Sequence, residues 1–160
     1  MPELLVVFDC VVFLQGLIKE SGPAVTCLER FEQGRFVLAV SRETVEELRE
    51  VLSRSSLRRS FPLLTDEKAE HLIELLLLKC RFFRHVTKRI ELPRDPDDEP
   101  YLNLAIEAGA GFLVTRDRDL LDLMTWDTAE GRNFQARFRE LKIVDPVAFL
   151  NEIDDPEKGL

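Results

Sequence analysis

The stretch VVFDCVVF, residues 6–13, decides the fold because it places one acid, Asp9, between two apolar runs. The run before Asp9 is short and rich in β-branched residues, which predicts a buried strand over residues 4–8. The run after it has a helical pattern over residues 12–18. A buried strand that leads into a helix is the repeating unit of a parallel sheet. A lone carboxylate at such a junction is costly to bury unless another group binds it.

Further apolar runs predict the rest of the sheet, and helical patterns separate them. These strands are predicted at residues 36–40, 112–115 and 143–144. A long, largely buried helix is predicted from residue 66 to about residue 83, with Thr65 as its N-cap, whereas residues 125–135 are predicted to be polar and irregular. The alternation predicts a three-layer α/β/α sandwich with a central, mostly parallel sheet of four to five strands.

The length and composition are typical of one globular domain: the chain has 160 residues, of which 45% are hydrophobic and 32% are charged. We expect a domain over residues 1–150, followed by a C-terminal tail at 151–160. No apolar run approaches the roughly 20 residues of a membrane span, and the N-terminus lacks a signal-peptide pattern, so we expect a cytoplasmic protein without membrane contact. The three cysteines have no metal-binding spacing and are predicted to be packing residues.

The net charge limits how this chain can bind nucleic acid. Its formal value, 22 − 30 = −8, argues against a protein that holds nucleic acid by bulk positive charge. A nuclease remains possible, because divalent cations can neutralise a cluster of acids and a local basic patch can contact phosphates.

Acidic residues follow the predicted strands at the sheet edge where α/β proteins bind ligands. Asp9 follows the first strand directly, and Asp117 comes two residues after the strand at 112–115. Asp95, Asp97 and Asp98 lie just before the helix that leads into that strand. Because the carboxyl ends of parallel strands meet at one edge, these acids are predicted to converge.

The helix predicted after residue 41 supplies a fourth acidic site. Its apolar face is formed by Val45, Leu48, Val51 and Leu52. Of its four glutamates, Glu47 lies at the border of that face, and the other three point further toward water. Clustered carboxylates need cations to stay ionised, and oxygen ligands suit Mg²⁺ or Mn²⁺. Such a site is typical of phosphodiester hydrolysis by a metal-activated water.

With these residues the chain resembles PIN-domain ribonucleases, and within that family the toxin components of type II toxin–antitoxin systems. The resemblance covers about residues 6–150. It rests on the strand that ends in Asp9, ETVEELREVL (43–52), RDPDDEPYLNLAIEAGAGFLVTRDRDLL (94–121) and IVDPVAFL (143–150). It implies a PIN-like fold and a Mg²⁺- or Mn²⁺-dependent endoribonuclease. It also implies a homodimer, and a small antitoxin protein as partner.

The resemblance assigns site residues by position. The four acids of the catalytic metal site are Asp9, Glu47, Asp98 and Asp117, with Asp119 as an additional metal acid and Thr115 as a supporting hydroxyl. Arg116 and Arg118 flank Asp117 and are predicted to contact RNA phosphates. The family usually follows its first aspartate with a small hydroxyl residue and an asparagine, and this chain has Cys10 and Val11 there. Valine cannot make the hydrogen bonds by which that asparagine positions the acids.

Other interpretations of the same residues stay open. Taken singly, Asp98 and Asp117 are explained as helix N-caps, and the arginines as solvated surface charge. Val11 favours a degenerate PIN domain that acts as an RNA- or protein-binding regulatory module. A phosphatase of the haloacid dehalogenase type also begins with a strand that ends in aspartate, but it needs a second aspartate where Val11 stands.

Overall fold

A computed structural model describes residues 3–155 and contains one sheet of five parallel strands. The strands are β1 (Leu5–Phe8), β2 (Val37–Ser41), β3 (Arg81–Phe83), β4 (Phe112–Val114) and β5 (Lys142–Val144). Their order across the sheet is β3-β2-β1-β4-β5. Helices flank the sheet, so the predicted three-layer α/β/α sandwich is confirmed.

Nine α-helices form within residues 3–155. They are α1 (Cys10–Ile18), α2 (Pro23–Glu32), α3 (Arg42–Ser53), α4 (Ser55–Ser60), α5 (Asp66–Lys79), α6 (Glu99–Ala108), α7 (Arg118–Leu121), α8 (Ala129–Arg137) and α9 (Pro146–Asp154). Six of these nine begin at a side-chain N-cap, and α2, α4 and α6 do not. Short 3₁₀ turns form at Pro96–Asp98 and Asp122–Met124. As predicted, Thr65 caps α5 by accepting a hydrogen bond from the Lys68 amide at 3.1 Å. Within residues 3–155, no helix is long and apolar enough to cross a membrane.

The core covers both faces of the sheet. Val6, Val7 and Phe8 are each at most 2% exposed, and successive strand residues point to opposite faces, so helices must pack on both. On one face Phe149 of α9 packs edge-on against Phe36 and Phe112, with ring centroids 5.1 and 5.3 Å away. The C-terminal helix therefore closes the core over the central strands.

The order of the strands sets where a ligand site can form. β2 and β3 extend the sheet on one side of β1, while β4 and β5 extend it on the other. The order in which strands are added to the sheet thus reverses between β1 and β4, although the two strands are parallel. In open α/β sheets the crevice at the carboxyl ends of such strands is the usual ligand site.

Two of the predicted segments were wrong. The helix predicted to reach residue 83 ends at Lys79, and Arg81–Phe83 forms the edge strand β3. That helix is also less buried than predicted, since Leu77 and Leu78 are 56% and 83% exposed. An edge strand faces solvent, so it lacks the continuous apolar run by which central strands are recognised.

The second error concerns residues 125–135, which are not irregular. The helix α8 spans Ala129–Arg137, capped by Thr128, whose side chain accepts a hydrogen bond from the Gly131 amide at 3.0 Å. Its sequence is polar because few of its side chains face the core, with Phe134 as the anchor. The predicted tail at 151–160 begins within α9, which runs to Asp154, and residues 156–160 lie outside the described residues.

Candidate metal centre

Asp9 lies at the carboxyl end of β1 and is 3% exposed. Its Oδ1 accepts a hydrogen bond from the Val12 amide at 3.0 Å, which caps α1. Its Oδ2 accepts a hydrogen bond from the Thr115 hydroxyl. Burial raises the pKa of Asp9, the charge of Asp117 adds to this, and the two hydrogen bonds oppose it. Asp9 is thus a buried carboxylate with partners on both oxygens.

Thr115 connects the two strands at the centre of the site. It is fully buried directly after β4, and its Oγ1 also accepts a hydrogen bond from the Asp117 amide at 2.9 Å. One hydroxyl therefore fixes the Asp9 carboxylate and the start of the turn that carries Asp117. This contact agrees with the supporting position that the resemblance implies for Thr115.

Asp117 caps the short helix α7 and is half-buried. Its Oδ1 accepts hydrogen bonds from the Asp119 amide at 2.8 Å and the Leu120 amide at 3.4 Å. Its carboxylate oxygens, together with those of Asp95 and Asp119, lie within 4.8 Å of one another, a spacing at which the three side chains can hold one metal ion. Asp119 also forms an ion pair of 2.7 Å with Arg94.

Asp98 ends the 3₁₀ turn before α6, and its Oδ2 is buried without a hydrogen-bond partner among the described residues. The pKa of Asp98 is raised to about 8, first by burial and then by the adjacent Asp117 and Asp95. Burial also disfavours the charge of Asp117, but contacts with Asp98 and the α7 amides outweigh it and lower its pKa. Ionised carboxylates only accept hydrogen bonds, so the contact between Asp98 and Asp117 needs a shared proton or a cation.

Glu47 lies on α3 and is the one glutamate of that helix that is half-buried, as its helical phase predicts. Two of the others are exposed in ion pairs on the helix surface, Glu46 with Arg42 at 3.0 Å and Glu50 with Arg54 at 2.7 Å. The pKa of Glu47 is raised, first by burial, with Asp97, Glu43 and Asp9 adding to the effect and Tyr101 opposing it. Glu47 therefore lies close enough to Asp97 and Asp9 for their charges to act on it.

The two residues after Asp9 differ in exposure. Cys10 is 8% exposed, and burial, with Glu47 and Asp9 nearby, raises the pKa of its thiol to about 12. The thiol thus stays protonated at neutral pH, in keeping with a packing residue. Val11 is 46% exposed and offers no polar atom to the acids from its side chain. The hydrogen bonds that the resemblance implies for an asparagine here cannot come from this side chain.

The arginines flanking Asp117 are both exposed. Arg116 donates a hydrogen bond to the side chain of Gln15 on α1, while Arg118 has no ion pair among the described residues. They are next to Asp117 in the chain, and Arg116 extends toward α1. Their contact with RNA stays a prediction.

The side chains in the crevice fit a divalent cation. The fit rests on the converging carboxylates of Asp95, Asp117 and Asp119, and on the unpartnered buried oxygen of Asp98 beside them. Of the four predicted acids, only Asp117 belongs to that converging group among the described residues. Asp95 was not selected from the sequence as a ligand, although it lies in the predicted acidic run. The turn at Pro96–Asp98 brings it beside Asp117, and spacing alone does not reveal that turn.

A known protein family matches the part of the chain that carries these acids. A family model described as a PIN domain matches residues 5–119, from β1 to Asp119. No curated protein sequence matches the chain significantly. The matched range contains every site residue predicted above.

Proposed function

The chain belongs to the PIN-domain family, and from this membership we propose that it is a metal-dependent endoribonuclease that hydrolyses RNA phosphodiester bonds. PIN domains are generally nucleases, and the acid cluster can bind a metal ion. RNA as the substrate, and Mg²⁺ or Mn²⁺ as the ion, are the specific parts of the proposal. The choice of ions follows from the oxygen-only donor set.

The observation that carries the proposal is the unpartnered oxygen of Asp98. A buried carboxylate oxygen next to two more carboxylates is unfavourable unless a proton or a cation joins them. Helix capping does not explain it, because the Asp98 side chain makes no cap hydrogen bond to α6. An acid retained at such a place supports a binding function.

Each residue has a proposed role in this reaction. Asp117 would hold the ion together with Asp98 and with Asp95 or Asp119. Asp9 would add negative charge from the end of β1, and Glu47 would add it from α3. The ion, Mg²⁺ or Mn²⁺, would supply a water of lowered pKa and would neutralise charge on the phosphate. Arg116 and Arg118 bind phosphates of the RNA strand at the rim.

The first test is calorimetric titration with Mn²⁺ and Mg²⁺, followed by RNA cleavage with and without EDTA. Wild type should bind the ions and cleave RNA only without the chelator. Asp98→Asn should lose most of the binding, because it removes a charged donor. Asp127→Asn, at an exposed position away from the cluster, is the matched control and should bind as wild type does. Ion binding that survives Asp98→Asn would overturn the assigned site.

We further propose that the protein is the toxin of a toxin–antitoxin pair and acts in the cytoplasm as a homodimer held inactive by a small antitoxin. The support is the resemblance of the sequence to toxin components. Expression of the chain alone should arrest growth, and co-expression with the product of a short adjacent reading frame should relieve the arrest. Growth that continues with a cleavage-competent chain would exclude the toxin role but not the nuclease.

A second function is favoured by one observation, the apolar side chain of Val11 beside Asp9. A site without the usual asparagine can bind RNA or protein without cleaving, as a regulatory module. RNA binding with no cleavage at millimolar Mn²⁺ would support this function over the nuclease.

A further inference from the structure

Tyr101 is a buried tyrosine whose hydroxyl makes no hydrogen bond of normal length and angle within the described residues. It lies in the first turns of α6, three residues after Asp98, and is 2% exposed. A buried hydroxyl without a partner costs about 1–3 kcal/mol, so phenylalanine would be the more stable residue for packing alone. The hydroxyl therefore calls for an explanation beyond packing.

The polar groups around this hydroxyl belong to the acid site. Glu47, Cys10 and Asp9 are its electrostatic neighbours, brought there because α3 packs against both α1 and α6. Asp9 is already engaged on both oxygens, by the Val12 amide and the Thr115 hydroxyl. A protonated thiol such as that of Cys10 is a weak acceptor. Glu47 is the remaining strong acceptor, and the ion pairs of the described residues do not include it.

We propose that Tyr101 is the positioning residue for Glu47: when a metal ion is bound, its hydroxyl donates a hydrogen bond to the Glu47 carboxylate and holds that carboxylate toward the metal site. This inference rests on the proposed function and adds to it a residue outside the acid set. It also accounts for a site without the usual asparagine, because a polar group from α6 orients the acids in place of one from α1. The pKa of Tyr101 is raised well above its ordinary value, first by burial and then by Cys10 and Glu47, so the hydroxyl keeps its proton and can donate.

The composition of the chain gives this inference a direct readout. Tyr101 is the single tyrosine among the 160 residues, so a tyrosine labelled with ¹³C at Cζ reports on this hydroxyl alone. Addition of Mg²⁺, which is diamagnetic, should shift that one resonance as Glu47 engages the hydroxyl. The shift should disappear in Glu47→Gln and persist in Glu50→Gln, which removes an exposed glutamate from the same helix.

The matching variant is Tyr101→Phe, with calorimetric Mg²⁺ affinity and thermal stability measured together. We expect an affinity about tenfold weaker, as for loss of an outer-shell partner of a metal ligand, with unfolding in EDTA at the same or a higher temperature. A purely structural tyrosine would change stability and leave the Mg²⁺ affinity alone.

The outcomes separate this inference from the proposed function. Mg²⁺ binding with an unmoved tyrosine resonance, or an affinity unchanged in Tyr101→Phe, overturns the role of Tyr101 and leaves the nuclease proposal standing. No Mg²⁺ or Mn²⁺ binding by wild type overturns the metal site and this inference with it.

Discussion

One local motif, a strand that ends in aspartate and leads directly into a helix, occurs at two places in the sheet. At the centre, β1 leads through Asp9 into α1, and at the edge, β5 leads through Asp145 into α9. In both copies the aspartate caps the helix by accepting from the amide three residues later, at 3.0 Å for Asp9 and 2.8 Å for Asp145. The local chemistry of the two aspartates is therefore the same.

Their surroundings separate them. Asp9 is 3% exposed and lies next to β4, where Thr115 and Asp117 face it. Asp145 is half-buried and follows the outermost strand, and its printed side-chain contact is the hydrogen bond that it accepts from the Ala148 amide. Helix capping therefore explains why an aspartate stands at both junctions. Of the two, Asp9 also has neighbours of like charge, because it lies where the strand order reverses between β1 and β4. The following experiments test that distinction.

The largest effect is expected for RNA cleavage in Asp9→Asn against Asp145→Asn. Asparagine caps helices as well as aspartate does, so both variants should stay folded and each loses only a charge. Cleavage should fall by at least about 100-fold in Asp9→Asn, since outer-shell partners of metal sites are already worth 10- to 100-fold. Asp145→Asn should cleave as wild type does. Equal losses in the two variants would contradict the distinction between centre and edge.

The next largest effect is expected at Thr115, whose hydroxyl donates a hydrogen bond to Asp9. Among the described residues Asp145 has no such hydroxyl partner. Thr115→Val leaves the Asp117 amide and one Asp9 oxygen without their partner, and should lower the free energy of unfolding by about 2–3 kcal/mol. Denaturant titration measures this change in the free energy of unfolding. Thr128→Val, which removes the exposed cap of α8, should cost only about 1 kcal/mol. A cost for Thr115→Val no greater than that of the control would mean that the central contact is weak.

A pH series in EDTA tests the crowding of acids at the centre. The folded pKa of Asp98, about 8, lies above its ordinary value of 3.8, so between these values the folded state holds a proton that the unfolded chain has released, and stability falls as pH rises. Wild type should therefore lose stability from pH 5 to about pH 8. Asp98→Asn should lose less and unfold a few degrees higher at pH 8, whereas Asp127→Asn should follow wild type. Parallel curves for wild type and Asp98→Asn would exclude a raised pKa.

The smallest effect is expected from the exposed valines, two residues after each aspartate. Val11 is 46% and Val147 is 50% exposed, so asparagine fits at either position. Val11→Asn should tighten Mg²⁺ binding about fivefold, the equivalent of one hydrogen bond of about 1 kcal/mol. Val147→Asn, the same change at the edge, should leave Mg²⁺ affinity unchanged. Calorimetric titration of both variants with Mg²⁺ measures the two affinities.

Central elements could be predicted from the sequence because they are buried on both sides. The run at β1 and the run at β4 leave no polar face, and each ends within three residues of an acid. Glu47 could also be chosen, because the apolar stripe of α3 fixes the direction of every side chain on that helix. Buried elements thus have an apolar pattern that can be recognised from the sequence alone.

Peripheral elements could not be predicted for the converse reason. β3 is an edge strand of three residues with exposed side chains, and α8 keeps only Phe134 and Gly131 buried. The pairing of Asp95 with Asp117 and the unpartnered hydroxyl of Tyr101 depend on how distant segments pack. No residue spacing encodes either of them.

The packing of Phe149 has a consequence for synthesis of the chain. Every acid assigned to the site has been made once the ribosome passes Asp119, yet the ring that covers Phe36 and Phe112 comes thirty residues later. The sheet that brings those acids together therefore gains the helix that closes its core only after α9 has been made. A nascent chain carries every acid of the site about one helix and one strand before it can complete the core beneath them.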